Sequence, residues 1–331
     1  MTTYKPDDST CLWMYELMVQ SRYYEQSIAA AYMEGKQPVF NMARGPVPGE
    51  MHLSIGQEPC AVGVCAQLHK EDVVMASHRP HHIALAKGVD IKAMTAEIFG
   101  KRSGLSGGRG GHMHLFDPEV NFVCSGIVAQ GLGPAVGAAL ARQMRREEGI
   151  AVAFIGEGAA NQGAFHETLN LAAVWGLPFI CVIEDNAYGV SVPKRAATAV
   201  ARNDVRAASY GIPGEYVAGN DPYLIHAAMG RAATHARAGK GPYLLELETH
   251  RLCGHFIGDI EAYRPEDEKA RIAKLDPLPL MRQRLLEEDT ATEDGLEKLE
   301  AKTRSIVDEA IAFARAAELP AGEEAFEMVY V

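Results

Sequence analysis

Between residues 58 and 250 short apolar runs alternate with longer stretches of helical periodicity, and no other feature limits the fold so narrowly. The runs DVVMA (72–76), AVAFI (151–155), FICVIE (179–184), EYVA (215–218) and YLLEL (243–247) read as strands. Segments 59–68, 133–147, 160–175 and 222–238 read as helices. Strands that are apolar throughout are buried on both faces, and a helix between successive strands makes right-handed crossovers. The expected fold class is α/β, a parallel sheet with helices on both faces. An amphipathic helix capped by Asp8, Ser9 or Thr10 and stopped by Gly35 precedes it, followed by an irregular crossing over 36–57. Segments 266–287 and 292–318 read as charged helices before a short β-like tail, FEMVYV. The chain divides into an N-terminal helix and crossing (1–57), an α/β domain (58–264) and a C-terminal helical extension (265–331).

Charge and composition exclude several classes of function. The 331 residues carry 32 basic and 43 acidic side chains, a formal charge of −11, so neither nucleic acid nor an anionic membrane is an expected partner. No apolar run is long enough to span a bilayer, and MTTYKPDDST lacks the basic and apolar regions of a secretory leader. The 6 cysteines (Cys11, Cys60, Cys65, Cys124, Cys181, Cys253) form no Cys-x-x-Cys pair and are expected as buried, reduced thiols. A cytoplasmic or similarly reducing location follows as an expectation.

The chemistry concentrates after the second of these strands. Residues 151–155 run into Gly156-Glu157-Gly158, and the next strand ends at Asp185-Asn186. Ligands of an open parallel sheet sit outside the carboxyl ends of its strands. Glu157 and Asn186 both fall there and offer hard oxygen ligands suited to Mg²⁺ beside a diphosphate. A Walker loop needs Lys-Ser/Thr where Ala164-Phe165 stand, so that reading fails. A dinucleotide fingerprint matches Gly156 and Gly158 but finds Asn161 at its third glycine. With Glu184 or Asp185 as the ribose-binding acid, it stays open. The glycine-rich segment KRSGLSGGRGGHMHLFD (101–117) is too long for a simple turn and has the character of a functional loop.

Gly156-Glu157-Gly158 with Asp185-Asn186, set in GEGAANQGAFHETLNLAA, resembles the thiamine diphosphate signature of the α subunits of 2-oxo acid and acetoin dehydrogenase complexes. The likeness runs from about residue 12 to the C-terminus. It implies a thiamine diphosphate-binding fold and a site for that cofactor and Mg²⁺. The metal would be held by Glu157, the side chain of Asn186 and the carbonyl of Tyr188. His78-Arg79 (in MASHRPHH) and Arg251 would lie at the diphosphate, with His52 (in EMHLSIGQEP), Gly158, Ala159 and His255 also touching the cofactor. Gly126 and Val128, in CSGIVAQG, would bind the aminopyrimidine, and His52 and His255 would be catalytic. His81, His82, His112 and His114 are further candidates for the approach to the site. Phe256 stands where the mitochondrial pyruvate enzyme carries a phosphorylated Ser, so that form of regulation is not expected. The stretches 254–264 and 78–82 look most like the acetoin branch.

The implied activity is cleavage of acetoin or decarboxylation of a 2-oxo acid, acetoin placed ahead of pyruvate, with transfer of the acyl unit to a lipoyl carrier. The implied partners are a β subunit, in an assembly of two α and two β chains, and a lipoyl-bearing acyltransferase. A branched-chain 2-oxo acid dehydrogenase α subunit, an NAD-binding oxidoreductase and a non-catalytic paralogue are the alternatives.

Overall fold

The computed structural model describes residues 4–36 and 41–327. The chain opens with α1 (Asp8–Met33) and, after the crossing, α2 (Glu58–Cys65), β1 (Val73–Ala76), α3 (His81–Lys87) and α4 (Ile91–Ile98). The glycine-rich segment leads through β2 (Phe116–Asp117) and β3 (Phe122–Cys124) to α5 (Leu132–Arg145), β4 (Ala151–Gly156), α6 (Gly163–Trp175) and β5 (Phe179–Asp185). A small hairpin, β6 (Tyr188–Gly189) and β7 (Val192–Pro193), precedes α7 (Lys194–Ala197), β8 (Gly214–Val217), α8 (Pro222–Arg237) and β9 (Tyr243–Glu248). The C-terminal part is α9 (Glu266–Ala273), α10 (Pro277–Glu287) and α11 (Glu293–Ala316).

The seven-stranded sheet has the order β2-β3-β1-β4-β5-β9-β8. Its pairs are parallel except at one edge, where β2 runs antiparallel to β3. The expected parallel sheet with helices on both faces is the observed one, corrected by that antiparallel edge. The five strands read from the sequence are present with ends shifted by a residue or so. β2, β3 and the β6–β7 hairpin are too short, at two or three residues, to carry a periodic signal.

Why the strands are apolar at every position is plain from the two faces. Val152 and Phe154 of β4 and Ile180 and Val182 of β5 pack into one core with α1, α2 and α8. Ala151, Ala153 and Ile155, with Phe179, Cys181 and Ile183, pack into the other beneath α5 and α6. Side chains two apart share a face, so both registers must be apolar when both faces are covered.

Helix boundaries shift from expectation, α2 ending at Cys65 rather than 68 and α6 starting at Gly163 rather than 160, and two departures have a clear local cause. The N-cap of α1 is Asp7, which accepts from the Thr10 amide at 2.9 Å, one residue before the candidates read from the sequence. Segment 266–287 is two helices, because Asp276 caps a new start with Pro277 in its first turn, where a missing N–H costs nothing. Of the β-like tail, Phe326 ends a 3₁₀ turn that begins at Gly322, and residues 328–331 lie outside the described residues. All 6 cysteines are free thiols, and among the described residues no helix is long and apolar enough to cross a membrane.

The crossing segment is laid against the loop after β9. Leu252 donates its amide to Ile55 O at 3.0 Å, and Ile257 donates to Met51 O at 2.9 Å. Gly56 sits at φ +97°, where a Cβ would lie 2.2 Å from the His250 carbonyl oxygen. Gly56→Ala therefore combines left-handed backbone strain with a backbone collision. We expect it to lose about 1–3 kcal/mol of stability, read as a fall in Tm, whereas Gly88→Ala, with a positive φ but open space, loses less.

Candidate active site

Parallel pairing of β4 with β5 sets Gly156 opposite Glu184, so Glu157 and Asp185 leave the sheet side by side. Glu157 is 2% exposed. One carboxylate oxygen, Oε2, accepts from the Asn186 amide at 3.4 Å, and Oε1 has no hydrogen-bond partner among the described residues. Burial, and then the charge of Asp185, push its pKa up to about 7. Asp185 is itself engaged by Lys194, which also reaches the buried Glu246 at 2.7 Å. Asn186 is aimed by Gln57, whose Oε1 accepts from Asn186 Nδ2 at 3.0 Å. The Asn186 side-chain oxygen accepts from the Tyr188 amide at 3.3 Å. A carboxylate with an unused oxygen beside an amide oxygen is a donor set for a hard divalent cation.

The facing wall carries the opposite charge. Arg79 and Arg251 are 3% and 1% exposed, and among the described residues neither forms an ion pair with a carboxylate. Arg79 donates to Leu53 O at 2.7 Å and His255 O at 2.7 Å, and Arg251 donates to the Tyr263 hydroxyl at 2.7 Å. Both guanidinium groups also reach His255 Nδ1, at 3.0 and 3.1 Å. A nitrogen facing two obligate donors must be the lone-pair nitrogen, so the His255 proton resides on Nε2. Burial, Arg79 and Arg251 together hold His255 down to about 3, and it is neutral at ordinary pH. The Tyr263 hydroxyl donates to Asp259 at 2.7 Å, and Asp259 also accepts from the His255 amide at 2.7 Å, which fixes the loop.

Ring nitrogens of His52, His78 and His255 lie within 4.8 Å of one another, a spacing that would suit a transition metal. Two fixed cations against His255 make that a poor place for a third. Two unpaired buried guanidinium groups fit an anion, and their planar forks fit phosphate oxygens.

Between the walls lies a cavity of about 530 Å³. His52, His78, Arg79, Arg251 and His255 line one side, Glu157, Gly158, Ala159, Asn186 and Tyr188 another, and Gly126 and Val128 a third. Every site residue read from the sequence therefore borders one space. Of the additional histidines, His81 and His82 are buried against Glu25 (3.1 Å) and Glu184 (2.8 Å) and do not line the cavity, and His114 is exposed. Pairing of Glu184 with His82 and of Asp185 with Lys194 also removes the acid that a dinucleotide site would need for its ribose. Gln57 and Tyr263 belong to the site as well. Both stand in motifs visible in the sequence, GQE and AYR, but their roles depend on contacts 129 and 12 residues away.

The charge distribution generates a prediction that needs no cofactor. Inorganic pyrophosphate raises the Tm of the chain, and Arg251→Met weakens that binding by at least about tenfold, the value of one charge-assisted hydrogen bond pair. Unchanged pyrophosphate binding in that variant would remove the cationic wall from the site.

The family model "Dehydrogenase E1 component" matches residues 34–323. The α subunit of acetoin:2,6-dichlorophenolindophenol oxidoreductase from Bacillus subtilis is 38% identical over 98% of this chain and 94% of its own length. Its counterpart from Cupriavidus necator is 37% identical over 98% and 95%. The α subunit of the pyruvate dehydrogenase E1 component from Rhizobium meliloti is 37% identical over 88% and 84%. With a family match over most of its length and relatives this similar along nearly all of it, the chain belongs to the dehydrogenase E1 component family.

Proposed function

We propose that this chain is the α subunit of a thiamine-diphosphate-dependent dehydrogenase of the acetoin or pyruvate type, and that its cavity holds the cofactor with Mg²⁺. The observation that carries the reading is the pair of walls left unneutralised among the described residues: a buried carboxylate with an unpartnered oxygen and two buried guanidinium groups without carboxylate counter-ions border one cavity. A metal diphosphate brings both missing charges at once. Glu157, the Asn186 side chain and the Tyr188 carbonyl would hold the cation. His78, Arg79 and Arg251 would hold the diphosphate, Gly158 and Ala159 would border it, and Gly126 and Val128 would receive the aminopyrimidine. When bound, thiamine diphosphate supplies the carbanion chemistry that breaks the bond beside a carbonyl.

The protein's own part is to bind, orient and present donors and acceptors. Lys194 neutralises Asp185, so that Glu157 alone faces the cation. Gln57 turns the Asn186 amide so that its oxygen, not its nitrogen, is turned away from Gln57. His255 offers an Nε2–H donor, and His52 is held down to about 3 by burial and by Arg79, so it too is a neutral ring. Such a pair can move a proton without first gaining one from solvent.

The α-subunit relatives support a β-subunit partner and an acyltransferase component; two α and two β chains, a lipoyl carrier and a cytoplasmic location complete the reading. Acetoin ranks ahead of pyruvate because the stretches 78–82 and 254–264 look most like the acetoin branch, and the acetoin-named α subunits of Bacillus subtilis and Cupriavidus necator are 38% and 37% identical over 98% of the chain. Reconstituted with a β subunit, thiamine diphosphate and Mg²⁺, the chain is expected to reduce dichlorophenolindophenol with acetoin, while alone it does not. Turnover with pyruvate but not acetoin would reassign the substrate, and turnover with neither would point to a non-catalytic paralogue.

Glu157 gives a second test with opposite signs in two readouts. A folded pKa of about 7 against an ordinary 4.5 means that the folded chain keeps a proton the unfolded chain has released. Stability of the cofactor-free chain therefore falls as pH rises from about 4.5 to about 7 and stays lower above that. Glu157→Gln relieves this, raising the stability of the free chain at pH 8 by on the order of 2–3 kcal/mol, while Mg²⁺-dependent cofactor binding is lost. A variant that keeps that binding would show the cation assignment to be wrong.

A further inference from the structure

His112 lies outside the cavity wall, buried 6% exposed behind His52, and nothing above gives it a role. Its ring is wedged between two others: it stacks on His52 with centroids 5.4 Å apart and an interplanar angle of 27°, and meets His81 at 5.8 Å and 59°. His81 is itself anchored through Nδ1 to Glu25 at 3.1 Å, and Glu25 also accepts from the Ser54 amide at 3.0 Å. The His112 ring is thus fixed from both sides.

Hydrogen-bond polarity then propagates along this stack. The backbone N–H of His52 can only donate, and it lies 3.2 Å from His112 Nε2. That nitrogen is therefore an acceptor, and the proton of the neutral His112 ring sits on Nδ1. His52 Nδ1 lies 3.2 Å from the same His112 Nε2. Two lone pairs at that distance repel, whereas an N–H directed at a lone pair attracts, so His52 must carry its proton on Nδ1 and its lone pair on Nε2. His255 has the opposite arrangement, because Arg79 and Arg251 both donate to its Nδ1.

We propose that His112 is a positioning residue that locks His52 in the Nδ1–H tautomer, so that the cavity holds one histidine acceptor, His52 Nε2, beside one histidine donor, His255 Nε2–H. The proposal rests on the placement of His52 in the active site argued above. It requires an acceptor at the position of His112 Nε2, not an imidazole as such. Gln fits that demand through its side-chain oxygen, and Leu does not.

The test has a spectroscopic arm and a kinetic arm. Ring nitrogen spectra of the full chain labelled with ¹⁵N-histidine, with His52 assigned through His52→Gln, should show a protonated Nδ1 and an unprotonated Nε2. His112→Leu should move His52 to the Nε2–H form or a mixture, and His112→Gln should restore the original pattern. In the complex reconstituted with its β subunit, His112→Leu should lower kcat by at least about tenfold with KM changed less than about threefold, and His112→Gln should recover most of it. A wild-type His52 protonated on Nε2, or a His52 tautomer indifferent to His112→Leu, overturns the proposal. If His112→Leu does not fold, the wild-type and His112→Gln spectra still decide. Absence of any turnover in the wild-type complex would count against the functional reading, while the ring spectra would judge the tautomer separately.

Discussion

Burying an ion without its counter-ion costs several kcal/mol even after relaxation, and this chain does so on both walls of one cavity. Glu157 leaves an oxygen unpartnered, and Arg79 and Arg251 are almost fully enclosed with only neutral acceptors around them. Burial and the neighbouring Arg251 push Arg79 down to about 10, still a cation at ordinary pH. Nearby pairs show that the fold can satisfy such groups when it needs to: Arg22 reaches Glu58 at 2.7 Å and Asp276 at 2.9 Å, and Lys194 bridges Asp185 and Glu246. Among the described residues Lys36 and Glu97 are also buried without an ion pair, but backbone groups surround each of them; in the cavity unpaired charge comes in both signs. That separation is the requirement that the metal diphosphate proposed above would meet.

The sheet alone does not build this arrangement. Strand tips place Glu157 and Asn186, but the cationic wall comes from the segment after β1 and the loop after β9, and its scaffold is the crossing segment. That segment supplies His52, the Leu53 carbonyl that receives Arg79, and Gln57 that aims Asn186. Its amide contacts with residues 252 and 257 tie it to the loop bearing Arg251 and His255. Gly56 is the tightest point of that junction, which is why a residue without chemistry of its own governs the spacing between the walls. Asp259 and Tyr263 then hold the His255 loop from its far side.

How much of this could be read in advance follows the range of the contacts involved. β4 and β5 open with uninterrupted apolar runs of five residues, AVAFI and FICVI, so their tips, and with them Glu157 and Asn186, were legible from local pattern alone. The break between α9 and α10 was equally local, written in Asp276-Pro277, and the charged character of the surroundings obscured it. His81 and His82 look like site residues because they sit beside Arg79, yet their partners are 56 and 102 residues away in the chain. No sequence pattern announces such a pair. The same holds for His112, whose partner His52 is 60 residues distant and whose function resides in which nitrogen holds a proton. Motif resemblance reached the residues that line the cavity and stopped at those that orient them.

One side of the cavity remains different in kind. Ile127 and Val128, which follow Gly126 in the wall, are 62% and 58% exposed. Apolar groups are favoured out of water by roughly 25 cal/mol for each Å² removed, so a chain that covers this face gains association energy from the groups now wasted on solvent. The same cover would exclude water from a space whose chemistry depends on buried charge, and hydrogen bonds and Coulomb attraction both strengthen as the local dielectric falls.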